Sequence, residues 1–82
     1  MTDSELHGRI QELDVSLWVG KGGLDPVVDE LRTQLESRDL VKAKFLRAAR
    51  GGTSTEELAV DLAQQAEAEV VETRGNTAVY RA

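Results

Sequence analysis

The sequence predicts an α+β two-layer sandwich in the order α-β-α-β-α-β-β, with a mixed four-stranded sheet packed against helices. Three observations carry that prediction. Apolar residues recur at every second position in Val15-Leu17-Val19 and Val41-Ala43-Phe45. Helical stripes at Val27, Val28, Leu31, Leu35 and again at Leu58, Ala59, Leu62, Ala63, Ala66 follow each of these runs. Two β-type runs, Val70 to Thr73 and Thr77 to Arg81, are joined by Gly75-Asn76, a hairpin signal.

Leu6, Ile10 and Leu13 have helical spacing, with Thr2 or Ser4 as cap and Asp3 and Glu5 in the first turn, so a short amphipathic helix opens the chain. Gly8 weakens it by about 1 kcal/mol relative to alanine, which leaves it dependent on docking. His7 has no Cys, His or carboxylate partner at ligand spacing and is expected to be solvated. Val15 to Val19 then alternates, with Val15, Leu17 and Val19 on one side and Ser16 and Trp18 on the other. Trp18 is expected to belong to the core or to lid it, although its place beside a glycine loop also suits stacking on a base.

The stretch Trp18-Val19-Gly20-Lys21-Gly22-Gly23-Leu24-Asp25-Pro26 carries the chemistry of the chain. Glycines at 20, 22 and 23 allow positive φ and close approach of another molecule, because no Cβ stands in the way. Asp25 reads as N-cap and Pro26 as the first helical position. Loop amides followed by a helix start favour an anion such as a phosphate. The spacing is neither that of a P-loop nor that of a dinucleotide fingerprint, and the plain alternative is a tight strand-to-helix turn with a solvated lysine. Asp25 as a cap already occupies free N–H groups, which shifts the expected phosphate contacts to Lys21 and the amides of Gly22 and Gly23.

Beyond the helix at 26–37, the strand around Leu40 to Leu46 presents Val41, Ala43 and Phe45 on one face and Lys42 and Lys44 on the other. Residues two apart on a strand lie about 6.6–6.8 Å apart, a separation that suits neighbouring phosphates of an extended polynucleotide. Gly51-Gly52-Thr53-Ser54 leads into the third helix, and Ser54 with Glu57 makes a capping-box signature. Two strand-helix-strand units imply parallel neighbours, and the final hairpin adds an antiparallel strand. Tyr80 is expected to pack.

A length of 82 residues without cysteine bounds this to one domain, spanning 1–82, with no disulfide and no zinc ribbon. Without a signal-peptide pattern or a run long enough to cross a bilayer, a soluble, cytoplasmic, monomeric protein is expected, with no membrane partner. The net charge of −5 argues at face value against nucleic acid. The charge is polarised, however. Arg38, Lys42, Lys44, Arg47 and Arg50 face only Asp39, whereas six acids and no base lie between Glu56 and Glu72. A basic face on an acidic protein is physically allowed, since local fields decide which surface meets which ligand. The acidic excess also suits concentrated salt, and a halophilic source is expected to show as stability that grows with potassium chloride.

Val19-Gly20-Lys21-Gly22-Gly23-Leu24, Asp39-Leu40-Val41-Lys42-Ala43-Lys44 and Gly75-Asn76-Thr77-Ala78-Val79-Tyr80-Arg81 together resemble the CRM domain, the chloroplast RNA splicing and ribosome maturation or YhbY-like family. The resemblance covers nearly the whole chain. It implies RNA binding, a fold like the C-terminal domain of translation initiation factor three, and a Gly20 to Gly23 loop comparable to the backbone clamp of KH domains. It also implies pre-ribosomal particles or structured RNA as partners. The sequence departs from the family at Asp25, where threonine is common, and in a last strand one residue shorter before Tyr80-Arg81.

The expected function is therefore RNA binding, in ribosome assembly or structured-RNA handling, through Gly20, Lys21, Gly22, Gly23, Arg38, Lys42, Lys44, Arg47, Arg50 and Arg74, with Arg81 a further candidate. With few aromatic residues, shape and phosphates should count for more than base identity. The alternative is a protein-interaction module whose basic face docks an acidic partner. No enzyme, cofactor or metal is expected, because no nucleophile sits beside a histidine and no carboxylate pair or metal cluster is defined.

Overall fold

The computed structural model describes residues 8–10 and 12–82. Residues 8–10 and 12 are helical, and they lead to β1 (Val15–Val19), α1 (Asp25–Ser37), β2 (Val41–Phe45), α2 (Arg47–Arg50), α3 (Thr55–Ala66), β3 (Glu69–Arg74) and β4 (Thr77–Arg81). The start of the first predicted helix, with Thr2 or Ser4 as cap, Leu6 and His7, lies outside the described residues. The single-turn helix α2 is an addition to the predicted order. It is closed by the Ala49 amide donating to the Leu46 carbonyl at 2.9 Å.

The sheet is mixed and four-stranded, in the order β1-β2-β4-β3, with β1 and β2 parallel and β4 antiparallel to both of its neighbours. This corrects one expectation. The second strand-helix-strand unit does not place β3 beside β2, because β4 inserts between them. The reason lies in composition. Ala78, Val79 and Tyr80 are all buried, so β4 has apolar residues toward both faces and belongs in the middle of the sheet. In β3, Glu69 and Arg74 are exposed and no residue is fully buried, which suits an edge.

Helices α1 and α3 pack on one face of the sheet, where Leu17, Val19, Val41, Ala43, Phe45 and Tyr80 meet Leu31, Ala59 and Leu62. Ser54 caps α3, its hydroxyl accepting from the Glu57 amide at 3.2 Å as the capping box predicts. The C-terminal end of α3 closes with Glu67 in the left-handed region at φ 56° and with the Ala68 amide on the Ala63 carbonyl at 2.8 Å. A smaller cluster on the opposite face joins Ile10, Leu40 and Val79 with Leu13 and Val71. It explains how a helix weakened by Gly8 is held: Ile10 docks on the sheet.

One side chain of β1, Ser16, lies where alternation alone does not put it, and another, Trp18, is more exposed than expected. The register shifts between Val15 and Leu17, and the Ser16 hydroxyl turns to α1, donating to Gln34 Oε1 at 2.7 Å, while Gln34 Nε2 donates to the Ser16 carbonyl at 2.8 Å. Ser16 and Trp18 therefore do not share a face. Trp18 is 55% exposed, which overturns its expected place in or over the core. Its strand is at the sheet edge, and Ile10 packs with Leu40 and Leu13, which precede β2 and β1, and with Val71 and Val79.

Candidate nucleic-acid interface

Parallel pairing of β1 and β2 brings the segments that follow them to one end of the sheet. The Leu46 amide donates to the Val19 carbonyl at 2.8 Å, and the Phe45 amide donates to the Asn76 carbonyl of the β3–β4 turn at 2.7 Å. The glycine loop, α2 and the hairpin turn thus lie side by side. Lys21 and Arg47 are exposed there, and Arg50 folds back so that its Nε donates to the Phe45 carbonyl at 3.2 Å.

The glycine loop is a tight turn in which the Gly23 amide donates to the Gly20 carbonyl at 3.0 Å. Of its three glycines only Gly23 has positive φ, at 75°, so the expectation of positive φ at Gly20 and Gly22 is not met. Gly22 matters through space instead, since a Cβ there would come within 3.2 Å of the Pro26 ring. The helix start also differs by one residue. Leu24 occupies the cap position, Asp25 is already helical, and no side chain caps the turn. The backbone of Leu24 is itself helical, at φ −83° and ψ −34°, and its carbonyl accepts from the amides of Val27 and Val28. The Asp25 carboxylate therefore does not consume the N–H groups it was expected to cap. No hydrogen bond among the described residues engages the amides of Lys21, Gly22 and Leu24. Asp25 still adds a negative charge in the first turn, which opposes an anion at this helix end.

The outer sheet face holds the other cations. In-register pairing aligns Trp18 of β1 with Lys44 of β2, Lys44 with Thr77 of β4, and Thr77 with Arg74 of β3. Residues paired in register project to the same side of a sheet, so these four form one cross-strand row. Lys42 stands two residues along β2, opposite Val79, which is in turn opposite Glu72. Lys42, Glu72, Arg74, Thr77, Val79 and Ile10 line a shallow hollow of about 320 Å³. Ion pairs among the described residues are Arg9–Asp39 at 3.3 Å and Arg81–Glu69 at 2.9 Å. Lys21, Lys42, Lys44, Arg47 and Arg74 are in neither.

The predicted site residues therefore fall into three groups. Lys42, Lys44 and Arg74 share the outer face; Gly20, Lys21, Gly22, Gly23, Arg47 and Arg50 occupy the adjoining end. Arg38 does neither. It follows α1 at the opposite end of β2, next to Asp39, whose carboxylate is held by Arg9. Arg81 is also removed from the basic face, because its guanidinium is hydrogen-bonded to Glu69 directly across the strand pair. That bond and the adjacent positive charge lower the Glu69 carboxyl below its ordinary value, and the reciprocal contact raises Arg81. Among the described residues no group of His, Cys, Asp and Glu is arranged to hold a metal, and no helix is long and apolar enough to cross a membrane.

The model of the CRS1 / YhbY (CRM) domain family matches residues 2–81. The chain belongs to the CRM family. This CRM chain is 37% identical over 71 residues to a Methanocaldococcus jannaschii protein named Probable RNA-binding protein MJ0652, covering 87% of this chain and 53% of that protein. The chain thus spans about half the length of the curated relative it matches. Its fold is similar to the solution structure of hypothetical protein SAV1595 from Staphylococcus aureus, described as a candidate RNA-binding protein. The TM-score is 0.73 and the identity 25%, with 95% of this chain and 80% of that chain covered. In this CRM domain the glycine loop and the outer sheet face meet along the edge formed by the end of β1, where Trp18 and Lys21 are separated by only two residues.

Trp18 is the residue whose exposure sequence reasoning missed. Its signal was present, an aromatic immediately before a glycine loop, but aromatic residues in strands usually face a core.

Proposed function

We propose that this CRM domain binds structured RNA, such as ribosomal RNA during subunit assembly, through Lys42, Lys44 and Arg74 on the outer sheet face and through Lys21 with the loop amides at its end. One observation carries the reading. An acidic chain brings Lys42, Lys44 and Arg74 to one sheet face with Lys21 at its end, and none of these four is in an ion pair among the described residues. A polyanion gains from such unpaired charges, because each phosphate neutralised releases counterions. The names of the relatives, both described as RNA-binding, agree with it. Contacts of this kind position a backbone and favour shape over base sequence.

The test is a filter-binding titration of the wild-type chain and a Lys42→Glu, Lys44→Glu variant against structured ribosomal RNA over a series of salt concentrations. The variant should bind more weakly, and its log–log salt slope should be shallower by about 0.7–0.9 per lost phosphate contact. Unchanged binding would overturn the assignment to this face. Capture of an acidic protein after nuclease treatment, with no RNA bound by the wild-type chain, would replace RNA by a protein partner.

A further inference from the structure

We infer that Trp18 stacks on an unpaired RNA base, so that the outer face binds RNA with single-stranded segments in preference to continuous duplex. The inference rests on the RNA-binding reading above and adds the class of nucleotide that the face selects. Trp18 is the sole tryptophan of the chain and is 55% exposed. Ile10, Leu13, Leu40, Val71 and Val79 form their cluster at the other end of its face, and the exposed apolar side chain next to the end of its strand is that of Leu46, 38% exposed, whose amide donates to the Val19 carbonyl. Its in-register neighbour is Lys44, and Thr77 and Arg74 continue the same row.

A protein-docking surface gathers its aromatic anchors within an apolar, desolvated centre. An indole that instead heads a row of cations complements a nucleotide, which presents a flat π-face and a phosphate close together. The strands of the row are spaced about 4.8 Å apart, so Lys44 lies within one side-chain length of a phosphate attached to a base on Trp18. Lys21 is exposed in the adjoining loop, two residues beyond Val19. Stacking tolerates every base, because each has a π-face, but it requires that the base be out of a helix. Selection for unpaired nucleotides with little preference among the four bases follows.

The experiment uses the whole 82-residue chain and two probes, an RNA hairpin with an unpaired loop and a blunt duplex of the same stem. Emission excited at the red edge, where Tyr80 does not absorb, reports Trp18 alone. The hairpin should quench it and the duplex should not. Trp18→Ala should weaken hairpin binding roughly 5- to 150-fold and leave duplex binding unchanged, and Trp18→Phe should recover most of the loss. Equal hairpin binding by wild type and Trp18→Ala, with no quenching, would overturn stacking while leaving the phosphate-binding reading intact. Failure of both RNAs to bind the wild-type chain would overturn both. An emission change that follows protein concentration without RNA would assign Trp18 to self-association and overturn the inference. The quenching measurement needs no variant, so it decides even if a substitution disturbs folding.

Discussion

The Tyr80 hydroxyl donates to the Ala59 carbonyl at 2.9 Å, joining the central strand β4 to helix α3 through a fully buried bond. Tyr80 thereby sets how α3 lies on the sheet. A Tyr80→Phe variant retains the ring and loses the bond, and should be less stable by about 1 kcal/mol. For a domain of this size that corresponds to a fall in Tm of roughly 4–8 °C, measured by thermal unfolding. RNA affinity should be unchanged, because Tyr80 lies on the helix side of the sheet.

The same residue gives an alkaline limit. Burial pushes the Tyr80 phenol well above its ordinary value. A group raised on folding contributes stability that is complete below its unfolded pKa, about 10 for tyrosine, and that is lost as pH rises through the folded value. Denaturant titrations from pH 8 upward should show stability falling from about pH 10, more steeply in wild type than in Tyr80→Phe. Parallel curves for the two proteins would show that this phenol is not the linked group.

Gly23 has φ 75° with nothing within 4 Å of the place a methyl group would take, so strain and not collision decides a substitution there. Gly23→Ala should destabilise by about 1–2 kcal/mol, the left-handed penalty for an L-residue, and Gly23→Asn by less. Urea midpoints of the three proteins test the order. Gly20, with ordinary φ and only a 3.7 Å approach to Leu46, should accept alanine more readily.

Glu67 is the converse, a non-glycine residue in the left-handed region at the end of α3. Glu67→Gly relieves that strain and removes a negative charge from the helix C-terminus, where the dipole disfavours it. The variant should be more stable by up to about 1 kcal/mol, read from the shift in urea midpoint.

Salt should act in opposite directions on folding and on binding. Glu56, Glu57, Asp61 and Glu67 are exposed along α3, and none is in an ion pair among the described residues. Raising potassium chloride screens their mutual repulsion and should raise the unfolding midpoint. The same increase should weaken RNA binding, since released counterions drive less of it. Thermal melts and binding titrations over one salt series measure both.

Much of the fold was legible locally. The strands at 15–19 and 41–45 follow from two-residue alternation, α1 and α3 from stripes of 3.6-residue period, and the α3 start from Ser54 and Glu57, all within a few residues of one another. Lys42 and Lys44 were placed on a common outward face for the same reason. That neither is in an ion pair among the described residues, with Glu72 sharing only the hollow beside Lys42, was not readable, because the acids of β3 and α3 approach or avoid them only through folding.

What the sequence by itself determined is the identity of the four strands, of α1 and of α3, and the apolar stripes that α1 and α3 turn to the sheet, since propensity and periodicity act between near neighbours along the chain. Tertiary structure alone decided that β4 enters the sheet between β2 and β3, that Arg38 is parted from Lys21 and Arg47 by the length of β2, and that Trp18 is left open beside Lys44. Those outcomes depend on competition among strands for the positions where both faces are buried. That competition is settled by contacts between residues far apart in the chain, which no local pattern records.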